Sequence, residues 1–211
     1  MKLNLGCGPV QPDGWVNVDG SNRAYLASRL PWLNRALERS GLLAPTEFGA
    51  HTVHADLLRH FPWPNGSIDA IYMGEVLEHF TRVQGEQILH QCFRVLRRGG
   101  RLRVRVPDNA RFWSRYLEEY QRTRGLARSS WSGDHTRFIK MYFDDLCVKR
   151  PKLWQSMGHF HKWMYDEVSL TLLFEGTGFR EVERCAFQKS GIPGIAAVEN
   201  RDDLIVEGVR P

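Results

Sequence analysis

Short apolar strands alternate with stretches of helical period along this 211-residue chain, and few folds accommodate that alternation. Because the strand cores are almost continuously apolar and helical segments separate them, the pattern indicates a mainly parallel sheet covered on both faces. The predicted fold class is therefore α/β, with seven strands. The predicted strands are Lys2–Gly6, Trp15–Asp19, a third that ends at Asp56, Ile68–Met73, Arg101–Val106, Glu181–Phe187 and Leu204–Val209.

Three stretches of the sequence have the period of helices. Proline removes a backbone donor and glycine allows left-handed backbone, so both residues predict where helices end. The predicted helical stretches are 23–41, broken at Pro31; 86–98, ended by Gly99 and Gly100; and 165–179, closed by Gly176 or Gly178.

A different pattern, aromatic and basic with no clear strand, runs from Asn109 to Met164. We interpret it as a helical insertion before the last two strands. The predicted organisation is a core over residues 1–108, the insertion over 109–164, and the remainder of the core over 165–211.

Composition narrows the class of protein. No stretch approaches the ~20 apolar residues of a membrane span. The four cysteines are widely scattered, with no C-x-x-C pair and no secretory segment before them, which predicts reduced thiols in the cytoplasm and no cysteine metal site. A net charge of +5 favours anionic partners only mildly.

Polar or small residues follow the first four predicted strands. In open parallel sheets, ligands bind beyond the carboxyl ends of the strands, where the strand order reverses. We therefore expect these residues to form one site. They are Gly6, Cys7 and Gly8 after the first strand, Asp19 and Gly20 after the second, Asp56 and Leu57 after the third, and Glu75 after the fourth.

Five segments in succession resemble the motifs of the class I S-adenosylmethionine-dependent methyltransferases. They are "LNLGCG", "NVD", "HADL", "IDAIYMGEVLEHF" and "RVLRRGGRLRVRVPD", and together they cover about the first 108 residues. The resemblance implies a Rossmann-like fold, S-adenosylmethionine as cofactor, and S-adenosylhomocysteine (SAH) as the product of methyl transfer.

The resemblance also implies roles for the first two strand ends. The turn at Gly6 and Gly8 would let the backbone approach the methionine part of the cofactor, since side chains there would fill its space. Cys7 would be a small filler. Asp19, followed by Gly20, would accept hydrogen bonds from the two ribose hydroxyls.

The next two strand ends would hold the rest of the cofactor. Asp56 would accept from the adenine amino group, with the Leu57 amide nearby, and Glu75 would lie near the methionine end. A helix beginning near Glu75 would place His79 one turn further along the same face, towards the acceptor. The alternatives are turn capping by Asp19 or by Asp56, a solvated Glu75 and a packing role for His79.

The connection between the first two strands departs from the usual family pattern. Only Pro9 to Gly14 separates the strands, and this composition resists a helix. This short form resembles a subgroup of predicted methyltransferases, some linked to surface polysaccharide or cell-envelope pathways. Loss of the helix removes a dipole that would favour a pyrophosphate, which suits a cationic sulfonium cofactor.

The insertion is expected to roof the site and select the acceptor. In "GHFHKW", His159 and His161 are two residues apart, so an extended chain directs both to one side, where one would deprotonate a hydroxyl. Together with His79 they are the candidate catalytic residues; the alternative, which the composition favours, is that the pair packs within the aromatic segment. Metal binding by the pair would need a third ligand that the sequence does not identify, so no metal site is predicted.

The leading hypothesis is methyl transfer to an oxygen or nitrogen of a small or saccharide-like acceptor. A nucleic-acid methyltransferase remains an alternative because of the charge and the arginine content, although neither an N-P-P-Y-like nor a P-C-type motif is present. A non-catalytic protein that binds the cofactor is a second alternative. Contact of Tyr25–Leu43 with a membrane surface is a third, weakened by Pro31, which breaks the amphipathic face.

Overall fold

A seven-stranded sheet organises the protein, of which the computed structural model describes residues 1–45, 48, 51–133, 135–141 and 161–211. The strands are β1 (Lys2–Leu5), β2 (Val16–Asp19), β3 (Val53–His54), β4 (Ile68–Gly74), β5 (Leu96–Val106), β6 (Arg180–Arg184) and β7 (Leu204–Val209). Their order across the sheet is β3-β2-β1-β4-β5-β7-β6. The first five strands are parallel, and β7 is antiparallel to both neighbours. The predicted α/β class is confirmed.

The strand order reverses between β1 and β4. From β1 the chain adds β2 and β3 outwards on one side, then returns to place β4 on the other side of β1. The connections that leave the carboxyl ends of β1 and β4 therefore run to opposite sides of the sheet. The crevice between two such connections is where α/β proteins bind their ligands.

The helices are α1 (Asn22–Arg29), α2 (Pro31–Arg39), α3 (Arg82–Val95), α4 (Asn109–Arg124), α5 (Thr136–Met141) and α6 (Glu167–Thr177). The break at Pro31 is confirmed, and this proline occupies the first turn of α2, where its missing N–H costs nothing. Gly178, with φ of 108°, ends α6 in the left-handed conformation. α1 packs against β3, the edge strand of the sheet, and α2 packs against α1.

The predicted end of the helix after β4 is wrong. α3 begins at a capping box formed by Thr81 and Gln84, and it ends at Val95 rather than at Arg98. Leu96 is already extended and pairs with Ile68 of β4. Pairing with a distant strand therefore ends this helix, and the two glycines lie inside β5, not after a helix.

One face of the sheet is apolar and lies under α3 and α6. The alternating side chains of the central strands on this face are fully buried against Ile88, Leu89 and Cys92 of α3 and Leu170 and Phe174 of α6. The buried strand residues of this core are Leu3, Leu5, Ile71, Met73, Leu102, Val104, Val106 and Val206.

The opposite face carries charged side chains that are nevertheless buried. Arg103 of β5 is 0% exposed, and its guanidinium contacts Glu199 at 2.8 Å and Glu207 of β7 at 3.2 Å. It also donates to the backbone carbonyls of Ala186 and Lys189. Every nitrogen of the Arg103 guanidinium thus has a partner, which compensates the desolvation of the ions.

The connection between β6 and β7 covers the middle of this face. Its Ile192, Ile195 and Val198 form a second apolar cluster with Trp15, Ala70 and Tyr72 from the N-terminal strands. Lys2 Nζ donates to the Pro193 carbonyl at 2.6 Å and lies 4.6 Å from the centre of the Trp15 ring. The segment between β6 and β7 thereby covers β1 and β4 on this face of the sheet.

The turn between β1 and β2 contains no helix, as predicted. Asn4 holds it together, because its amide nitrogen donates to Asn17 Oδ1 at 3.0 Å and to the Val10 carbonyl at 2.8 Å. The Cys7 amide donates to the Val18 carbonyl at 3.0 Å. Side chains thus replace the packing that a crossover helix would supply.

The described part of the predicted insertion is helical, comprising α4, a short 3-10 helix at Arg128–Ser130, and α5. Residues 142–160 lie outside the described residues. No helix in the described ranges combines the length and apolarity that crossing a membrane requires.

Candidate active site

A cleft of about 1040 Å³ lies at the carboxyl ends of β1 to β4. Six of the eight predicted cofactor residues line it: Gly6, Asp19, Gly20, Asp56, Leu57 and Glu75. The lining residues that follow Glu75 in the sequence are Val76, His79, Phe80, Gln84 and Lys162. The strand ends therefore meet in one site, as the sequence predicts.

Two glycines that line the cleft, Gly6 and Gly20, leave no room for a side chain. Gly6 has φ of 65°, and a Cβ atom there would lie 2.1 Å from Val76 Cγ2. A Cβ on Gly20 would lie 2.9 Å from the Ala55 carbonyl oxygen. The protein's own packing therefore requires glycine at both places in the cleft wall.

Asp19 ties the glycine turn to the end of β2. Its Oδ2 accepts from the Gly8 amide at 3.1 Å, and its Oδ1 accepts from the Ser21 amide at 2.8 Å. Each oxygen has further accepting capacity for a ligand. Gly8 and Cys7 do not line the cleft. Gly8 contacts the site only through the hydrogen bond from its amide to Asp19, and Cys7 is buried.

The Cys7 thiol lies close to this carboxylate. Burial, followed by the negative charge of Asp19, raises the pKa of Cys7 to about 12. The residue is therefore a neutral thiol, which agrees with its predicted role as a small filler.

Asp56 caps the turn that follows β3. Its Oδ1 accepts from the Leu58 amide at 3.0 Å, and its Oδ2 lies 3.4 Å from Arg59 Nε. The side chain is nearly half exposed and faces the cleft, so the capping contact leaves room for a second one. Beside it, Leu57 is buried and contributes an apolar surface.

Glu75 has a left-handed backbone, with φ of 57°, so the helix predicted to begin there is wrong. A 3-10 helix over Leu77–His79 follows instead. Arg105 and Arg201 lie 3.5 Å and 4.0 Å from the Glu75 carboxylate. Burial nevertheless raises its pKa, because the two arginines offset the desolvation only in part.

His79 ends this short helix and lines the cleft on the side away from the glycine turn. Its ring makes an edge contact with His161, with 5.0 Å between the ring centres. Two of the three predicted catalytic histidines are therefore neighbours. The third, His159, lies outside the described residues.

Sequence reasoning missed Glu78, which is 0% exposed. Burial, followed by repulsion from Glu75, raises the pKa of its carboxyl well above the usual range. Its backbone carbonyl accepts from the amides of Lys162 at 2.7 Å and Trp163 at 3.2 Å. The available signal was an acidic residue within an apolar run, directly before His79.

The donors and acceptors of the cleft suit a nucleoside with a positively charged substituent. Carboxylates stand at the ends of β2 and β3, Leu57 supplies an apolar surface between them, and Glu75 adds a third acid further along. A cation at that end would be attracted by the acid, while the bare backbone at Gly6 admits a close approach.

A sequence profile described as "Methyltransferase domain" matches residues 3–104. No curated protein sequence is significantly similar to the chain. The matched range contains β1 to β4, α3 and most of β5, which are the elements that form the cleft.

Several solved structures share the fold. One is an S-adenosylmethionine-dependent methyltransferase from Thermotoga maritima, titled a possible histamine N-methyltransferase, at 14% identity and a TM-score of 0.53, covering 100% of this chain and 82% of that one. A second, from Archaeoglobus fulgidus, has 11% identity and a TM-score of 0.50 over 99% of this chain and 85% of that one. PigF with SAH has 14% identity and a TM-score of 0.50 over 100% of this chain and 56% of that one.

These likenesses concern the fold, and the profile match concerns the strand ends that carry the site. The structural likenesses agree with the α/β fold described above. Residues 3–104 form a methyltransferase domain, and the fold is that of the class I S-adenosylmethionine-dependent methyltransferases.

Proposed function

We propose that the enzyme methylates an oxygen or nitrogen of a small or saccharide-like acceptor. The observation that carries the proposal is the balance of charge in the cleft. Three cationic side chains line it, Arg23, Arg59 and Lys162, against three acidic ones, Asp19, Asp56 and Glu75. Nucleic acid binds to an excess of positive charge, which this cleft lacks among the described residues.

The size of the cleft also supports a small acceptor. About 1040 Å³ is at the upper end of the range of small-molecule sites, so the cleft has room for the cofactor and a second small molecule. Beyond Glu75 the walls offer an imidazole, an amide, an ammonium group and an aromatic ring, from His79, Gln84, Lys162 and Phe80. Such donors and rings suit hydroxylated molecules.

We assign the ribose hydroxyls to Asp19, the adenine amino group to Asp56 with the Leu57 amide, and the methionine end to Glu75. The methyl group is already activated in the cofactor, so the enzyme mainly aligns the acceptor and removes its proton. The side chains that could act on this proton, directly or through a bound group, are those of Glu78, His79 and His161. The role of His159 remains a prediction.

A panel of acceptors tests the proposal, with SAH release as the readout. The panel contains sugar nucleotides, free glycosides, small amines, duplex DNA and structured RNA. We expect turnover with at least one saccharide or small amine, and about 100-fold less with His161→Ala, the scale of a lost acid or base group. Turnover confined to nucleic acid would refute the proposal. SAH binding without turnover on any acceptor would favour a cofactor-binding protein.

A further inference from the structure

One carboxylate and two imidazoles converge beside the cleft, from Glu78, His79 and His161. One ligand atom from each side chain can be chosen so that all three atoms lie within 4.8 Å of one another. Two of the residues are adjacent in the 3-10 helix, and the third comes from a distant part of the chain. The fold therefore assembles a ligand set that no sequence spacing reveals.

Backbone contacts fix this convergence. The Glu78 carbonyl accepts from the amides of Lys162 and Trp163, which holds the segment after His161 against the 3-10 helix. The position of the His161 backbone is thus set by hydrogen bonds of the main chain. The site is preorganised, which lowers the entropic cost of binding an ion.

The carboxylate of Glu78 provides independent support. It is fully buried, and within the described residues neither of its oxygens accepts a hydrogen bond. The ring nitrogen Nε2 of His161 lies 4.0 Å from Oε1, which is beyond hydrogen-bond distance. Buried polar groups are normally satisfied, so this buried carboxyl group beside two imidazoles points to a bound cation as its partner, on whose binding the carboxyl group would lose its proton.

We propose that Glu78, His79 and His161 bind one divalent transition-metal ion, with Zn²⁺ as the reference case. Two histidines and one glutamate are a donor set of catalytic zinc sites, which keep the fourth position open. Mg²⁺ and Ca²⁺ prefer oxygen ligands throughout and fit less well. Tetrahedral zinc needs its ligand atoms about 3.3 Å apart, so each atom must move by less than about 1 Å.

The role of the ion rests on the proposed function. Because His79 lines the cleft, an ion held by these three residues would lie at the cleft wall, where it would lower the pKa of an acceptor hydroxyl. The O–H proton goes to solvent, an oxygen lone pair forms the new bond to the methyl carbon, and the S–C bond breaks with its electron pair remaining on sulfur. The products are the methyl ether, SAH and a proton. The two histidines then act as ligands, not as bases.

Calorimetric titration of Zn²⁺ into the metal-free full chain tests the site. We expect one tight site, and at least about tenfold weaker binding in His161→Ala and in Glu78→Gln, because each variant lacks one ligand. His90→Ala is the matched control. His90 Nε2 also lies 4.0 Å from a glutamate oxygen, that of Glu86, but this pair is exposed on a helix and has no third ligand in the cluster.

Two results would overturn the site: no stoichiometric Zn²⁺ binding by the wild type, or equal binding by His161→Ala and the wild type. If Glu78→Gln does not fold, His161→Ala decides, since that ring is partly exposed. Asp19→Ala should bind Zn²⁺ normally while losing affinity for SAH, which separates the metal site from the cofactor site.

The catalytic role has its own test. Chelation should abolish turnover of whichever acceptor the panel identifies, and Zn²⁺ should restore it. Full turnover by chelated enzyme would overturn the role, while the zinc isotherm still decides the site itself. If no acceptor is methylated, the proposed function fails but the zinc isotherm is unaffected.

Discussion

Replacing Asp19 by alanine should weaken SAH binding about 30-fold. Each carboxylate oxygen already accepts one backbone N–H, from Gly8 and Ser21, so each has capacity for about one ribose hydroxyl. A hydrogen bond to a charged group contributes about 1.5–3 kcal/mol, and because the two bonds share one partly exposed carboxylate, we expect their joint contribution to lie near the lower end of that range. A total of ~2 kcal/mol corresponds to a factor of about 30 in Kd.

Calorimetry with SAH measures this effect, and Asp13→Ala is the control. Asp13 is exposed in the same turn, so its loss changes the net charge equally without removing the contact to Gly8. The midpoint of thermal unfolding should be recorded for both variants, because Asp19→Ala also strands two backbone donors. A folded Asp19→Ala protein whose Kd is within threefold of the wild type would refute the ribose assignment. Equal weakening of SAH binding in both variants would show that the loss of negative charge, and not the loss of a specific contact by Asp19, causes the effect.

Three further predictions concern stability and reactivity. Gly6→Ala should lower the free energy of unfolding, measured by urea titration, by about 2–4 kcal/mol, because the alanine must adopt a left-handed backbone and its Cβ clashes with Val76. Gly14→Ala is the control: its backbone is also left-handed, but nothing lies within 4 Å of the added Cβ, so the loss should be only about 1 kcal/mol. Equal losses in the two variants would contradict the clash. Arg103→Met should lower the free energy of unfolding by about 3–5 kcal/mol, because it leaves buried glutamates without their cationic partner. The exposed Arg97→Met is the control and should lower it by at most about 1 kcal/mol. Similar losses in the two variants would contradict the buried network. Cys7, with a pKa of about 12, should react with iodoacetamide at pH 8 about 1000-fold more slowly than a free cysteine in peptide mapping, and rapid alkylation would show that the thiol is not buried as described.

The strand ends were predictable because their signals are local. Each strand is an apolar run followed directly by a polar residue or a glycine, and parallel pairing brings these ends to one edge of the sheet. Asp19 and Asp56 could therefore be assigned to one cleft before any coordinates. The missing helix between β1 and β2 was equally evident, since prolines and glycine in so short a connection exclude one.

The features that sequence reasoning missed depend on distant partners. Arg103 stands in an alternating, charged stretch typical of a half-exposed strand, and it is buried only because Glu199 and Glu207 reach it from the far end of the chain. α3 ends early because Leu96 pairs with β4. Glu78 is surrounded by apolar residues in sequence, and nothing local brings His161 to it.

The segment between β6 and β7 that closes the sheet over β1 and β4 has a consequence for the order of folding. The strands that carry the glycine turn are made first, yet Trp15 and Tyr72 find their apolar partners only in Ile192, Ile195 and Val198. Contacts between such widely separated positions raise the contact order, which slows folding. We expect that during synthesis the strands that line the cleft stay uncovered on one side until the segment between β6 and β7 has left the ribosome. Until then, their exposed apolar and edge surfaces make the nascent chain prone to association.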